Sequence, residues 1–310
     1  MSHTSLVIVG GGPGGLAAAI YAGRAGLTPV IFLGIETSSQ LMTTTEVENY
    51  PGFKTIQGPD LVQNQVDQAE HCGAQLFYED VTKIDATARP FKITHGYENE
   101  IMTCDALIFA TGSTAQRLDV IGEKQFWQKG VSACAVCDSM MAKNKDTVVV
   151  GGGDVACEEA SYLSNIASKV YLILRRDAFR ASAAMVQRVK SNPKIEIIYN
   201  SAVQEIKGET RVNQILVKNL KSGDITPLKV EALFWCIGHT PQTRLLKGQV
   251  KMSENGYILV ENQTQYTNVP GIFAAGDCCD WIYRQAIVAA GSGCKAALDA
   301  ERWLASNGGH

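Results

Sequence analysis

Two cysteines three residues apart, followed at once by a carboxylate, are the groups in this chain best suited to chemistry: Cys134, Cys137 and Asp138 in "SACAVCDSM". A C-x-x-C pair can supply half of a zinc site, pack as two small apolar side chains, or cycle between dithiol and disulfide. Asp138 can donate a proton to such a pair, and it can equally cap the stretch "SMMAKN" that follows. The remaining cysteines stand at 72, 104, 157, 236, 278, 279 and 294. An odd, scattered set is no secreted disulfide framework. Most lie in apolar strings such as "ALFWCIG" and read as core hydrophobes. A closed zinc site needs four ligands, yet there is no second C-x-x-C and the five histidines show no paired spacing.

The elements that must position this pair are announced by glycines. In "LVIVGGGPGGLAAAIYAGRAG" an apolar run meets a turn in which Gly10, Gly12 and Gly15 fit G-x-G-x-x-G, and an Ala-rich helix follows. The first glycine allows the tight turn, the second lets a pyrophosphate approach the backbone, and the third lets helix pack on strand. The anion then rests on the free N–H groups of the helix N-terminus. The next apolar run, "TPVIFLG", is a second strand, and Glu36 beyond it stands near the ~20-residue spacing of an acid that binds a ribose hydroxyl. The pattern recurs in "DTVVVGGGDVACEEASYL", with Gly151, Gly153 and Ala156 in the same slots. Its following strand, "SKVYLIL", ends in "RRDAFR" instead of an acid. Arg175, Arg176 and Arg180 can pair with a 2′-phosphate, which a carboxylate would repel, so this turn predicts NADP(H). Each fingerprint is followed later by an apolar strand ending in glycine, at Gly112 and at Gly238. The chain therefore predicts two similar α/β nucleotide-binding units, one nested between the halves of the other.

Composition agrees with a globular protein: 310 residues, 45% apolar and 19% charged. A net charge of −3 offers no basic surface for nucleic acid or for an anionic membrane. The start "MSHTSLVIVGGG" lacks the features of a signal peptide, and Pro13 and the glycines break its apolar run well short of the ~20 residues that span a bilayer. The end carries no lipidation or retention signal. The expected location is cytoplasmic.

Eight strings, "GGGPGG", "QLMTTTEVENYPGF", "FATGSTAQRL", "GVSACAVCD", "GGGDVACEEA", "RRDAFRAS", "IGHTPQT" and "AAGDCCDWIYRQAIVAAGSGC", occur in family order from residue 10 to residue 294. On them the chain resembles the low-molecular-weight thioredoxin reductases of the pyridine nucleotide-disulfide oxidoreductase family. The resemblance implies two Rossmann-like domains, a discontinuous FAD-binding domain (1–113 and 243–310) and an inserted NADPH-binding domain (114–242) carrying the redox C-x-x-C. It implies FAD on Gly10, Gly12, Pro13 and Gly15, with Gln40, Thr44 and Asn49 near its flavin or pyrophosphate. Ala110, Thr111 and Gly112 are implied close to the adenine side, Gly276 and Asp277 at the ribitol, and Arg284, Gln285 and Ala286 at a helix N-terminus near the flavin. NADPH is implied on Gly153, Asp154, Ala156, Glu159 and Gly238, its 2′-phosphate on Arg175, Arg176 and Arg180. Cys134 and Cys137 become the redox disulfide, Asp138 its proton donor, a thioredoxin or thioredoxin-like protein the substrate, and a homodimer the assembly. The dithiol reading then prevails over zinc and packing. A flavin-dependent dithiol oxidase, or NADPH oxidase-like activity on small disulfides or oxygen, is the alternative. Ser38-Ser39, Ser139 and Leu174 depart from the family pattern, Leu174 replacing the usual histidine of the basic run. Cys278 and Cys279 are expected as free thiols.

Overall fold

The computed structural model describes residues 2–35, 39–44 and 46–308. The chain divides into two compact units, residues 1–114 with 240–310, and residues 115–239.

The first unit begins with β1 (Ser2–Val9), α1 (Pro13–Arg24) and β2 (Val30–Phe32), then α2 (Gly58–His71), β3 (Gln75–Phe77), β4 (Val81–Asp85), β5 (Phe91–His95) and β6 (Glu100–Phe109). The chain leaves it through β7 (Ser113–Ala115). The second unit holds α3 (Glu123–Phe126), β8 (Val131–Ser132), β9 (Asp146–Val150), α4 (Asp154–Ser164), β10 (Lys169–Ile173), α5 (Ala183–Ser191) and β11 (Ile195–Ile198). The meander β12 (Ser201–Gly208), β13 (Val212–Asn219) and β14 (Ile225–Leu228) precedes β15 (Ala232–Trp235). The chain returns through β16 (His239–Pro241) and completes the first unit with β17 (Ile272–Ala274) and α6 (Ala286–Asn307).

In the first unit seven strands run β3-β2-β1-β6-β5-β4, and β17 also pairs with β6. β3, β2, β1, β6 and β17 are mutually parallel, while β5 and β4 join antiparallel. Alternation along β1 separates the two faces of this sheet. Leu6 and Ile8 join one core with residues of α1, α2 and α6, whereas Val7 and Val9 join another with Phe91, Ile93 and Ile272. Both faces are covered around its second half, so residues 6–9 read as an unbroken apolar run. α1 and α6 meet backbone to backbone: a Cβ on Gly293 would lie 1.9 Å from the Gly14 carbonyl oxygen.

In the second unit a five-stranded parallel sheet runs β11-β10-β9-β15-β8, and β12-β13-β14 form a separate antiparallel sheet. Val149, Leu172 and Phe234 pack with Ala156, Ala160 and Leu163 of α4, while Val148, Leu233 and Trp235 pack with Val203, Ile215 and Val217 of the meander. Because all five strands point the same way, their C-terminal ends share one edge. Parallel α/β sheets bind ligands at that edge.

Candidate active site: two nucleotide turns and a redox disulfide

The turn after β1 is built to meet an anion. α1 starts at Pro13 with Gly12 as its cap, and no side chain satisfies its first N–H groups. A Cβ on Gly12 would find only Ser39 Oγ, 4.0 Å away, so the approach to those N–H groups is open. Gly10 (φ +128°) and Gly15 are enclosed instead, since added Cβ atoms would lie 2.2 Å from the Ala110 oxygen and 1.9 Å from the Gly10 oxygen. Close packing of turn, helix and neighbouring strand demands glycine there.

Around this turn the C-terminal ends of β1, β6 and β17 gather polar groups. Gln40 Nε2 donates to the Ser113 carbonyl (2.7 Å), and Thr111 Oγ1 donates to the Gln242 carbonyl (2.7 Å). Asn49 Nδ2 donates to Gln285 Oε1 (3.3 Å) just before α6, and Gly276 N donates to Ser292 Oγ (2.7 Å). Burial pushes the Asp277 carboxyl up to about 6, with help from the Asp280 charge and against the pull of Arg284 and of the Ser113 hydroxyl. An uncapped helix end for phosphates, left open by glycine, and a buried carboxyl for sugar hydroxyls fit a dinucleotide.

The second unit repeats the arrangement at the end of β9. Gly153 caps α4 with no side-chain bond, and a Cβ there would meet nothing within 4 Å. Gly151 (φ +153°) is closed in, its added Cβ falling 2.3 Å from the Cys236 oxygen and 2.8 Å from Ala156 Cβ. The basic run after β10 is tied to this turn twice. Arg180 N donates to the Gly152 carbonyl (2.7 Å), and Asp154 Oδ1 accepts from Ser182 N (2.9 Å) and Oγ (2.8 Å). Those bonds hold the exposed Asp154 carboxyl below its ordinary range. Arg175, Arg176 and Arg180 are exposed beside the open helix end, which suits a further phosphate.

At the same edge, just beyond β8, Cys134 and Cys137 form a disulfide, their Cα atoms 5.3 Å apart. Cys137 is exposed and Cys134 partly buried. The pair is embedded in hydrogen bonds: Cys134 N donates to Ser132 Oγ (3.0 Å) and Cys137 N to Cys134 Sγ (3.2 Å). Asp138 Oδ2 accepts from the Ser132 hydroxyl and from Gln128 Nε2 (3.3 Å). Burial nevertheless pushes the Asp138 carboxyl up, outweighing these two bonds, so it holds its proton to higher pH than an exposed aspartate. An exchangeable disulfide beside a carboxyl that binds its proton more tightly than an exposed aspartate can take electrons and protons together.

Residues 4–293 match the family model described as pyridine nucleotide-disulphide oxidoreductase. The chain belongs to that family. A thioredoxin reductase of Chlamydia pneumoniae is 48% identical over 312 residues, covering 98% of this chain and 100% of its own. The solved thioredoxin reductase from Giardia duodenalis is 61% identical with a TM-score of 0.95, over 98% of this chain and 100% of that one. That of Streptococcus pyogenes is 34% identical with a TM-score of 0.92, over 98% and 99%. The chain is therefore an oxidoreductase of the family's two-Rossmann-domain, α/β plan, with FAD and NADPH as cofactors.

Most of the residues singled out from the sequence gather at the two strand edges. Gly10, Gly12, Pro13, Gly15, Ala110, Thr111, Gly112, Gly276 and Asp277 surround the first turn; Gly153, Asp154, Ala156, Glu159, Arg180 and Gly238 surround the second. Thr44 turns its hydroxyl back onto the Gln40 carbonyl (3.2 Å), and the Arg284 guanidinium is bonded to the Trp281 carbonyl. Glu36 lies outside the described residues. One expectation is corrected: Asp138 does precede the short 3-10 turn Ser139–Ala142, but its side chain caps nothing there, being taken up by Ser132 and Gln128. Leu174 is buried, 2% exposed, under Gly152 in the core of the unit. Cys278 and Cys279 are free and buried. Among the described residues no group of three or more His, Cys, Asp or Glu is placed to hold a metal ion, and no helix is long and apolar enough to cross a membrane. Gln128, Ser132 and Ser182 were not found from sequence. Ser132 lies two residues before Cys134, which is the only hint it offers.

Proposed function

We propose that this chain reduces the disulfide of a thioredoxin or thioredoxin-like protein with electrons from NADPH, through FAD and the Cys134–Cys137 pair. The carrying observation is that pair itself: a formed disulfide with Cys137 exposed, at the sheet edge that also bears the arginine-flanked turn. The Chlamydia, Giardia and Streptococcus relatives are all thioredoxin reductases, which supports the choice of substrate.

The residues that would hold FAD are the open α1 N-terminus, Asp277 and the polar groups near Gln285; those for NADPH are the open α4 N-terminus and the arginines after β10. The chemistry that these cofactors supply is hydride transfer and two-electron reduction of the disulfide. The chain's residues do the rest. Asp138 holds a proton next to the sulfurs as the S–S bond opens. One of the two thiols, as thiolate, then attacks the partner's disulfide, forms a mixed disulfide and expels the partner's first thiolate. The second thiol attacks the mixed disulfide, restoring Cys134–Cys137 and releasing the reduced partner. On the family resemblance, and not on exposure, since Cys137 is the more exposed of the two, we assign the attack on the partner to Cys134 and the closing step to Cys137. We further propose a homodimer, supported by apolar side chains left exposed on α6 (Ile287, Val288 and Leu298), and a cytoplasmic location, supported by seven free cysteines beside one exchangeable pair.

The test is NADPH oxidation by the FAD-loaded protein with and without oxidised thioredoxin from the same cell. Consumption that depends on thioredoxin supports the reading. Consumption that follows oxygen and ignores thioredoxin replaces it with an oxidase.

A further inference from the structure

At the nucleotide edge of the second unit Cys236 is a thiol that disulfide exchange does not use. Cys236 follows β15 directly and is 9% exposed. Its carbonyl oxygen lies 2.3 Å from where a Cβ on Gly151 would stand, so the residue sits immediately against the glycine turn. Its thiol donates a hydrogen bond to Glu159 Oε2, and Glu159 stands in the second turn of α4, the helix whose open N-terminus the turn serves. A glutamate side chain has several rotatable bonds and loses rotamer freedom when fixed. A donor at one carboxylate oxygen selects the rotamer before any ligand arrives, so binding does not have to bear that cost.

Strand order says which end of a dinucleotide this serves. The sheet runs β10-β9-β15, with the glycine turn at the end of β9. The arginines that suit a 2′-phosphate follow β10, on one side of the turn; Cys236 and Glu159 lie at β15 and α4, on the other. A dinucleotide crossing the turn with its 2′-phosphate on the arginines points its nicotinamide half toward β15. There a fixed carboxylate meets ribose hydroxyls and the carboxamide N–H, which are donors shared by NADPH and NADH.

We propose that Cys236 is a positioning residue for the dinucleotide: its thiol proton fixes the Glu159 carboxylate for the nicotinamide half. This rests on the assignment of the second unit as the NADPH-binding one. The experiment measures equilibrium Kd for NADP⁺ and NAD⁺ by titration calorimetry on the FAD-loaded protein, for wild type, Cys236→Ala, Cys236→Ser, Glu159→Leu and the Cys236→Ala/Glu159→Leu pair, with thermal melting to confirm folding. Losing one ordinary hydrogen bond predicts a rise of about fivefold for Cys236→Ala, by the same factor for both nucleotides. Cys236→Ser, which keeps a donor, should return to within about twofold of wild type, and Cys236→Ala should add nothing in the Glu159→Leu background, where the acceptor oxygen is gone. Unchanged Kd values in Cys236→Ala, a serine variant as weak as alanine, or an effect confined to NADP⁺ would each overturn the inference while leaving the NADPH unit in place. Absence of NADP⁺ binding by the wild-type protein would instead overturn the assignment of the unit, and the inference with it.

Discussion

Gly153→Ala separates the needs of the nucleotide from the needs of the fold. Gly153 has φ −97° and ψ 178°, a backbone that alanine adopts without strain, and a Cβ there meets no atom within 4 Å. Alanine is a poorer cap than glycine by about 0.5–1.5 kcal/mol. It also reduces the freedom of the unfolded chain, which returns about 0.4–1 kcal/mol. The two terms nearly cancel, so the melting temperature should move by no more than about 2–4 °C. The new methyl group, however, stands where a pyrophosphate must approach the uncapped N–H groups of α4. Displacing even one charge-assisted bond of about 1.5–3 kcal/mol weakens binding tenfold or more. Gly151→Ala is the counterpart: with φ +153° and a Cβ 2.3 Å from the Cys236 oxygen, it should damage folding outright. Calorimetric NADP⁺ titration and thermal melting of both variants decide the matter. If Gly153→Ala binds NADP⁺ as tightly as wild type, the open turn is not the phosphate site.

Arg175→Ala combined with Arg180→Ala should raise KM for NADPH tenfold or more and leave KM for NADH nearly unchanged; equal effects would remove the arginines from the phosphate site. Ser132→Ala deletes a donor that pulls the Asp138 carboxyl down, so burial should push it higher still, and the alkaline limb of the kcat profile should move to higher pH; a shift downward contradicts a protonated Asp138. In the FAD-free protein, Asp277 is raised from 3.8 to about 6, so its contribution to stability is present below about pH 4 and lost as pH rises through about 6. That loss, about 3 kcal/mol at most, should vanish in Asp277→Asn when denaturant midpoints are compared across this range. Cys134→Ser and Cys137→Ser should both fail to reduce thioredoxin, while only Cys137→Ser should trap a thioredoxin that retains its attacking cysteine alone; trapping by Cys134→Ser instead reverses the two roles.

The glycine turns, their strands and their helices were legible because each rests on local pattern: an apolar run, glycines at fixed offsets, then a small-residue helix. The arginines after β10 were legible because they stand where the first unit's pattern has an acid. What escaped reading were side-chain partnerships that close only in three dimensions. Gln128 and Ser132 reach Asp138 across ten and six residues, and Ser182 reaches Asp154 across twenty-eight. The expectation that Asp138 caps the following turn failed for the same reason, since a buried carboxyl takes the strongest donors within reach and not the nearest in sequence. Leu174 was noticed only as a missing histidine. Its positive role, filling the space beneath Gly152, follows from packing that no local pattern encodes.

The backbone contact between Gly14 and Gly293 has a consequence for how the protein is made. As the chain leaves the ribosome, α1 and β6 emerge long before β17 and α6, the elements that cover them, because the whole of residues 115–239 is synthesised in between. During that interval the small-residue face of α1 has no cover, and the edge of β6 from Leu107 to Phe109, later taken by β17, is open to wrong partners. The interrupting unit is contiguous and can close by itself. Vectorial synthesis thus delivers a finished second unit attached to an unfinished first unit, and the last helix acts as the latch. Nascent chains halted between residues 240 and 285 should be protease-resistant in the middle and protease-sensitive in the first hundred residues.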